Sequence, residues 1–398
     1  MRKLFLSAMA LTAIVCGMSF TSCSDDENAT DPNPDGNNPP TTEEAENLPG
    51  EIREDLTLDA NKQYYINGTV HVNEGATLTI PAGMTIRARE GFSSYILVER
   101  GGRIVAEGTA DAPITFTADD ETQAEPGYWG GLILNGKARI SHATGENGEE
   151  PVIEGSTEVD TNYLYGGEDD TDNSGVLTYV KLLYTGARSS ADIEHNGLTL
   201  NAVGSGTKIE NIYVAEGADD AIEFFGGSVN VSNLLAINCD DDMFDFTQGY
   251  TGTLSNCYGR WESAFTSTEE DPRGVEADGN LDGNGPDHIQ QSDFTIENMT
   301  IETLSSTQSM QDAIKIRRGA TATITNALVK GSGAIENLVD LTDSKSNADS
   351  ATSIQVTKEA TNVEADQNSS NTGNGTVTIE AGHTGCPTDI FGWTGYTL

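Results

Sequence analysis

Two acidic segments carry the residues with the clearest chemical potential. Asp219-Asp220-Ala-Ile-Glu223-Phe224-Phe-Gly-Gly227 is echoed 22 residues later by Asp241-Asp242-Met-Phe-Asp245-Phe246-Thr-Gln-Gly249, with acids, phenylalanines and glycines in register. If the two segments stack as neighbouring strands, roughly 4.8 Å apart, Asp219 meets Asp241, Asp220 meets Asp242 and Glu223 meets Asp245. Carboxylates so close repel unless a cation neutralises them or some keep their protons. A flexible set of hard oxygens suits Ca²⁺, which takes roughly six to eight oxygen ligands. Asp219, Asp220, Asp241, Asp242 and Asp245 are therefore the metal-ligand candidates. The alternative is that alternate carboxylates turn outward and cap strand-end turns.

A second acidic loop, Asp278-Gly-Asn280-Leu-Asp282-Gly, matches the first half of a calcium-loop pattern. Its second half is missing, since Ile289 stands where the bidentate Glu is needed, so the loop reads as a weak site or a glycine-rich turn. Aromatic residues crowd the same central region. Most are expected to fill a core, while Tyr250, Tyr258 and Trp261, beside polar turns, are the candidates for stacking on sugar rings. His71, His142, His195, His288 and His383 are scattered and form no metal-ligand pair.

The elements that must position these groups are short strands. From about Leu48 onward, runs of four to six residues rich in Val, Ile, Leu and Thr alternate with Gly, Asn and Asp, and no long stretch has helical spacing. A sandwich or a barrel would also be all-β, but neither needs a repeat in the low twenties. That period is one turn of a parallel β-solenoid, with weaker echoes at Asn196-Gly-Leu-Thr199, Arg273-Gly-Val-Glu276 and Asp312-Ala-Ile-Lys315. Residues 48–398 are read as a single domain of this kind. Phe391-Gly-Trp393-Thr-Gly-Tyr396 is expected to cap its C-terminal end.

Trp129-Gly-Gly-Leu-Ile-Leu-Asn-Gly136, Tyr165-Gly-Gly167, Asn196-Gly-Leu-Thr-Leu200, Val203-Gly-Ser-Gly-Thr207 and Glu223-Phe-Phe-Gly-Gly227 resemble a group of uncharacterised Bacteroidetes surface lipoproteins. The resemblance implies a right-handed parallel β-helix of the pectate-lyase kind and no established activity. Asp241-Asp242-x-x-Asp245, one coil after Ala218-Asp219, also resembles the calcium site of family 9 pectate lyases, where the metal holds an acidic sugar and a lysine one coil on removes a proton. Glu276 occupies the place of that lysine. Lys315, one echo further on, is the weak substitute, with stacking against neighbouring acids as its structural alternative.

The N-terminus sets the expected location. Arg2 and Lys3, an apolar run from Leu4 to Val15 and small residues before Cys23 form a secretory signal over residues 1–22. Phe20-Thr-Ser-Cys23 resembles a lipobox, implying a lipid anchor, palmitate included, on Cys23. Residues 23–47, polar and acidic, read as a flexible tether. The acidic run after Cys23 resembles the signal that takes Bacteroidetes lipoproteins to the exterior of the outer membrane, beside a TonB-dependent transporter. Removing Arg2 and Lys3 deepens a net charge that is already −42, which excludes nucleic acid as a partner. Cys239 and Cys257 lie about one repeat apart and are left open between stacking and a disulfide. Asp349-Ser350-Ala351 resembles a Bacteroidetes O-glycosylation signal.

The expected function is a lipid-anchored module that binds a carbohydrate or another extracellular ligand, with calcium as its cofactor. A calcium-dependent polysaccharide lyase acting on a uronate polymer is the enzymatic alternative. A structural or adhesive surface protein is the third.

Overall fold

The computed structural model describes residues 44–143, 151, 153, 161–189, 193–281, 288–367 and 375–398. The signal peptide, Cys23, most of the tether and Asp282 lie outside these residues. Residues 43–398 form one compact unit. Its first strand, Glu44–Asn47, takes in the last four residues read as tether and pairs in parallel with Lys62–Ile66. Among the described residues no helix is long and apolar enough to cross a membrane.

The chain winds as a right-handed parallel β-helix. One 15-stranded and one 9-stranded parallel sheet run along it, joined near its C-terminal end by a 3-stranded parallel sheet. Parallel pairing follows from the sequence period, because a strand meets its own echo one coil later. Glu223 lies opposite Asp245, Asp245 opposite Glu276 and Glu276 opposite Lys315.

In the first coils the large sheet consists of two separate rows of short strands, such as Arg103–Glu107 in one row and Ile114–Ala118 in the other. Both rows pair with the single nine-residue strand Gly175–Leu183. From there on, one long strand bends across both faces, and the bend needs a left-handed residue. Tyr179, Asn211, Asn233, Asn256, Asn298 and Asn326 supply it, all with φ between 52° and 59°. Asparagine tolerates this region better than other non-glycine residues. Each Asn side-chain amide then donates to the Asn of the coil before it: Asn233 to Asn211 at 3.0 Å, Asn256 to Asn233 at 2.9 Å, Asn298 to Asn256 at 2.9 Å and Asn326 to Asn298 at 2.8 Å. The spacing of this ladder follows irregular loop lengths, which hid it in the sequence.

Inside the coils, like stacks on like. Phe224, Phe246 and Phe294 form a ring stack with centroids 4.9 and 4.3 Å apart, and the ring of Tyr250 leans on all three. Close coil approach explains the Trp129-Gly-Gly pair. A Cβ on Gly131, whose φ is +80°, would sit 2.1 Å from the carbonyl oxygen of Asn196 in the next coil.

The C-terminal aromatic segment does not close the end of the helix, as its sequence suggested. Asp389–Thr394 forms a 3-10 turn, and Phe391, Trp393, Tyr396 and Leu398 lie against the outer face of Tyr213, Leu235, Ile237 and Tyr258. Lys181 Nζ donates to the carbonyl of Thr394 at 2.7 Å, and the edge of Trp393 meets Tyr179. The apolar stripe on the outside of the middle coils, not the last coil, is what this segment buries. Cys239, Cys257 and Cys386 are buried free thiols. Cys257 points inward opposite Leu234, five positions from Cys239 in register, so the first pair neither stacks nor bridges.

Candidate functional site

The outward-facing positions of the nine-stranded sheet form a continuous column: Glu51, His71, Leu97, Ile133, Thr199, Glu223, Asp245, Glu276 and Lys315. Alternation along each strand sends the flanking phenylalanines inward and these residues outward. In the middle coils the column is acidic. The turn entering each of these strands adds Asp219 and Asp220 below and Asp241 and Asp242 above.

Three groups of carboxylate oxygens converge within 4.8 Å: Asp219 with Asp220 and Asp241, Asp220 with Glu223 and Asp245, and Asp242 with Asp245 and Glu276. All five metal-ligand candidates are therefore brought together, with Glu223 and Glu276 completing the set. Backbone and side chain interlock across coils, since the amide of Asp242 donates to Asp220 Oδ1 at 2.9 Å. Asp242 is 2% exposed, and its Oδ1 has no hydrogen-bond partner; the buried Oδ1 of Asp241 has none either. A buried, unpartnered carboxylate oxygen carries a desolvation cost that a bound cation or proton removes.

The electrostatics point the same way. Burial, then the neighbouring carboxylates, pushes Asp220, Asp242 and Asp245 well above the ordinary carboxylate range. Asp241 is pushed up to about 8, by burial first and Glu276 second. Burial and mutual repulsion therefore favour the protonated form of these acids when no cation neutralises them. Glu223 Oε2 accepts from the side-chain amide of Asn196 at 2.7 Å.

At the far end of the ladder the chemistry changes. Arg273 Nη1 pairs with Glu276 at 2.7 Å, and Arg317 bridges Glu276 at 2.6 Å and Asp278 at 2.7 Å. Arg318 adds a second guanidinium to Asp278 at 2.6 Å. This counts against Asp278 as a cation ligand in the weak calcium loop, whose Asp282 lies outside the described residues. Asp278 is neutralised by two arginines, and the Asn280 amide is turned to Gln291 Oε1 at 2.9 Å. Glu276, in place of a lyase lysine, is itself held by two guanidiniums. Lys315 is buried, with Nζ on Asp340 Oδ2 at 2.6 Å, so it stacks among acids and offers no free base. None of these arginines stood out in the sequence; Arg317, two residues after Lys315 and so on the same outer face, was the available signal.

Above the ladder runs a groove of about 330 Å³, lined by Glu223, Asp245, Glu276 and Arg317 on its floor and by Tyr165 and Phe225 on its wall. Tyr165 belongs to the insertion between Asn135 and Gly175 and is fixed by its hydroxyl on Gln248 Oε1 at 2.6 Å. The residues expected to meet a ligand here are elsewhere. Tyr250 and Trp261 are 0% and Tyr258 is 1% exposed. Tyr250 lies in the inner ring stack with its hydroxyl on the Val229 carbonyl, Trp261 is held by its indole N–H on the Cys239 carbonyl, and Tyr258 lies under the C-terminal segment. Their polar neighbours in sequence are the turns that end buried strands, so proximity to a turn did not mean exposure.

Comparisons with known proteins agree with this architecture. Residues 50–396 match the model of the pectate-lyase-like β-helix domain, and the chain belongs to that family. No curated protein matches it. Among solved structures, it is similar to the catalytic domain of a GH87 α-1,3-glucanase in complex with nigerose, at 11% identity and a TM-score of 0.35, covering 82% of this chain and 65% of that one. A substituted form of such a domain with tetrasaccharides gives the same values, and the Agl-KA catalytic domain gives 10% identity and a TM-score of 0.25, covering 80% and 62%. The chain thus spans less than two thirds of the length of these domains.

Proposed function

We propose that the protein is a carbohydrate-binding β-helix in which a calcium ion, held by the Asp219 to Asp245 ladder, helps to fix a saccharide in the groove beneath Tyr165 and Phe225. The observation that carries this reading is the fully buried Oδ1 of Asp242, without a partner in the midst of all-oxygen groups. The donor set fits calcium, since a cluster of hard carboxylate oxygens matches its coordination. Asp220, Asp242 and Asp245 would hold the ion, since Glu276 is already paired with two guanidiniums, and the ion would supply positive charge toward the hydroxyls or carboxylate of a sugar. Arg317 and Tyr165 orient that sugar from the groove wall.

Binding accounts for the residues better than β-elimination does. The two positions where a base could stand, Glu276 and Lys315, are locked in ion pairs. The lipobox-like Phe20-Thr-Ser-Cys23 and the acidic segment behind it support a lipid anchor and a place on the exterior of the outer membrane, where captured glycan would pass to a TonB-dependent transporter.

Thermal melting of the soluble body across a calcium titration, with a chelator control and a panel of neutral and uronate glycans, tests the proposal. A calcium-dependent rise that Asp242→Asn abolishes, together with glycan binding, is expected. Melting curves that coincide with and without calcium would remove the metal from the reading. Release of reducing ends from a glycan would turn the binding module into a hydrolase, and ultraviolet-absorbing products would turn it into a lyase.

A further inference from the structure

A second cavity, of about 720 Å³, opens at a different place on the coil, where the long strands of the large sheet end. Its floor is Gly217 and Ala218. Behind Gly217 lies the side chain of the fully buried Thr185, whose hydroxyl has no partner and sits 3.4 Å from where a Cβ on Gly217 would stand. One wall is Phe265, half-buried, with one face stacked on buried Trp261 at 4.8 Å. The other face of Phe265 is the only one open to a ligand.

The same cavity is lined by a prearranged pair of carboxylates. Asn238 donates to Glu216 Oε1 at 2.8 Å and to Glu262 Oε2 at 3.3 Å, and the hydroxyl of Tyr396 fixes Glu262 Oε1 at 2.7 Å. Glu216 and Asn238 hold left-handed backbone conformations, at φ 55° and 53°, which turn both side chains to the same side of consecutive coils. Glu125 and Asp240 add two further acids. The cavity's guanidinium, Arg188, is engaged by Glu194 at 3.1 Å, Glu269 at 2.9 Å, Asp240 at 3.8 Å and the Ala218 carbonyl, so it offsets Asp240 and leaves Glu216, Glu262 and Glu125 without a guanidinium partner in the cavity. Burial, and then Glu262 and Glu125, raises the Glu216 carboxyl above its ordinary value.

An aromatic platform and a carboxylate pair lining one cavity suit a ring with a nonpolar face and a positive charge on its edge. We propose that this cavity binds an amino sugar with a free ammonium group, the ring lying on Phe265 and the ammonium between Glu216 and Glu262. The assignment is independent of calcium and of the ladder.

The test is titration of the full soluble body with a glucosamine tetramer, read by tryptophan fluorescence because Trp261 lies directly behind the platform. The N-acetylated tetramer and a lysine tetrapeptide serve as matched probes, all at salt high enough to screen the protein's net negative charge. Saturable binding of the free amine alone is expected, weakened about tenfold or more in Glu216→Gln/Glu262→Gln. Phe265→Leu, which keeps the apolar volume and removes the ring, is expected to weaken it as well, with melting temperature as the check that both variants fold. Equal binding of the acetylated tetramer would overturn the role of the ammonium, and equal binding of the peptide would make the site a basic-peptide pocket. Binding that vanishes with salt, or that neither variant changes, would reduce it to nonspecific attraction.

Discussion

The outward column of the nine-stranded sheet is one backbone with two surfaces. In the early coils it presents Leu97 and Ile133, sealed under Ile140, Ile153 and Tyr165 of the insertion that follows Asn135. A few coils later, the same position presents Glu223, Asp245 and Glu276 to an open groove. Strand geometry, register and the inward phenylalanine or leucine neighbours hardly differ. Covering is what separates them: where the insertion folds fully over the sheet the position is core, and where only its edge at Tyr165 reaches the column the position lines a groove.

The sharpest way to break this comparison is to put the chemistry of one half into the other. Ile133→Glu would bury an uncompensated carboxylate beneath the insertion and is expected to cost more than about 4 kcal/mol in chemical denaturation. Glu223→Leu, the reverse exchange, removes one of several crowded acids but also the acceptor of the buried Asn196 amide, and is expected to cost less than about 2 kcal/mol when calcium is chelated. Equal losses from both would mean that the two surfaces do not differ as argued.

The next largest effect is that of pH on the metal-free protein. The ladder acids have folded values above their unfolded ones, so they bind protons more tightly when folded. Their contribution is complete below the unfolded value of 3.8 and is lost as pH rises through the folded range, up to about 8 for Asp241. Melting in chelator is expected to fall by several degrees from pH 5 to pH 8, and saturating calcium should flatten that slope. A slope of the opposite sign would show that the ladder is ionised and solvated.

Smaller effects sharpen the picture. Tyr250→Phe leaves the Val229 carbonyl unpaired in the core and is expected to cost about 1 to 2 kcal/mol with no change in glycan binding; a binding defect without a stability defect would return Tyr250 to the ligand surface. At the bottom of the scale, Lys62→Ala removes the surface pair with Glu46 and should change stability by less than about 0.5 kcal/mol.

Much of this was legible in the residues. The 22-residue echo predicted the parallel coils, the opposition of Glu223 to Asp245 and the contact of Asp220 with Asp242. What escaped depended on loops. Arg317 and Glu276 meet only because intervening insertions return the chain to register, and the asparagine ladder is spaced by those same insertions. The exposure of Tyr250, Tyr258 and Trp261 turned on which side of a bend each side chain leaves, which alternation cannot give at a turn. Tyr165 reaches the groove through an insertion whose path no periodic pattern encodes.

The C-terminal segment has a further consequence for how the molecule comes apart. A solenoid whose coils touch only their neighbours can fray from either end, one coil at a time. Here Cys386 is tied to Thr300, Thr394 to Lys181 and Tyr396 to Glu262, so the last residues are stapled to coils far upstream. The final coils cannot peel away without first releasing that staple. Unfolding should therefore begin as a concerted event across much of the body, and the long-range closure should make folding correspondingly slow.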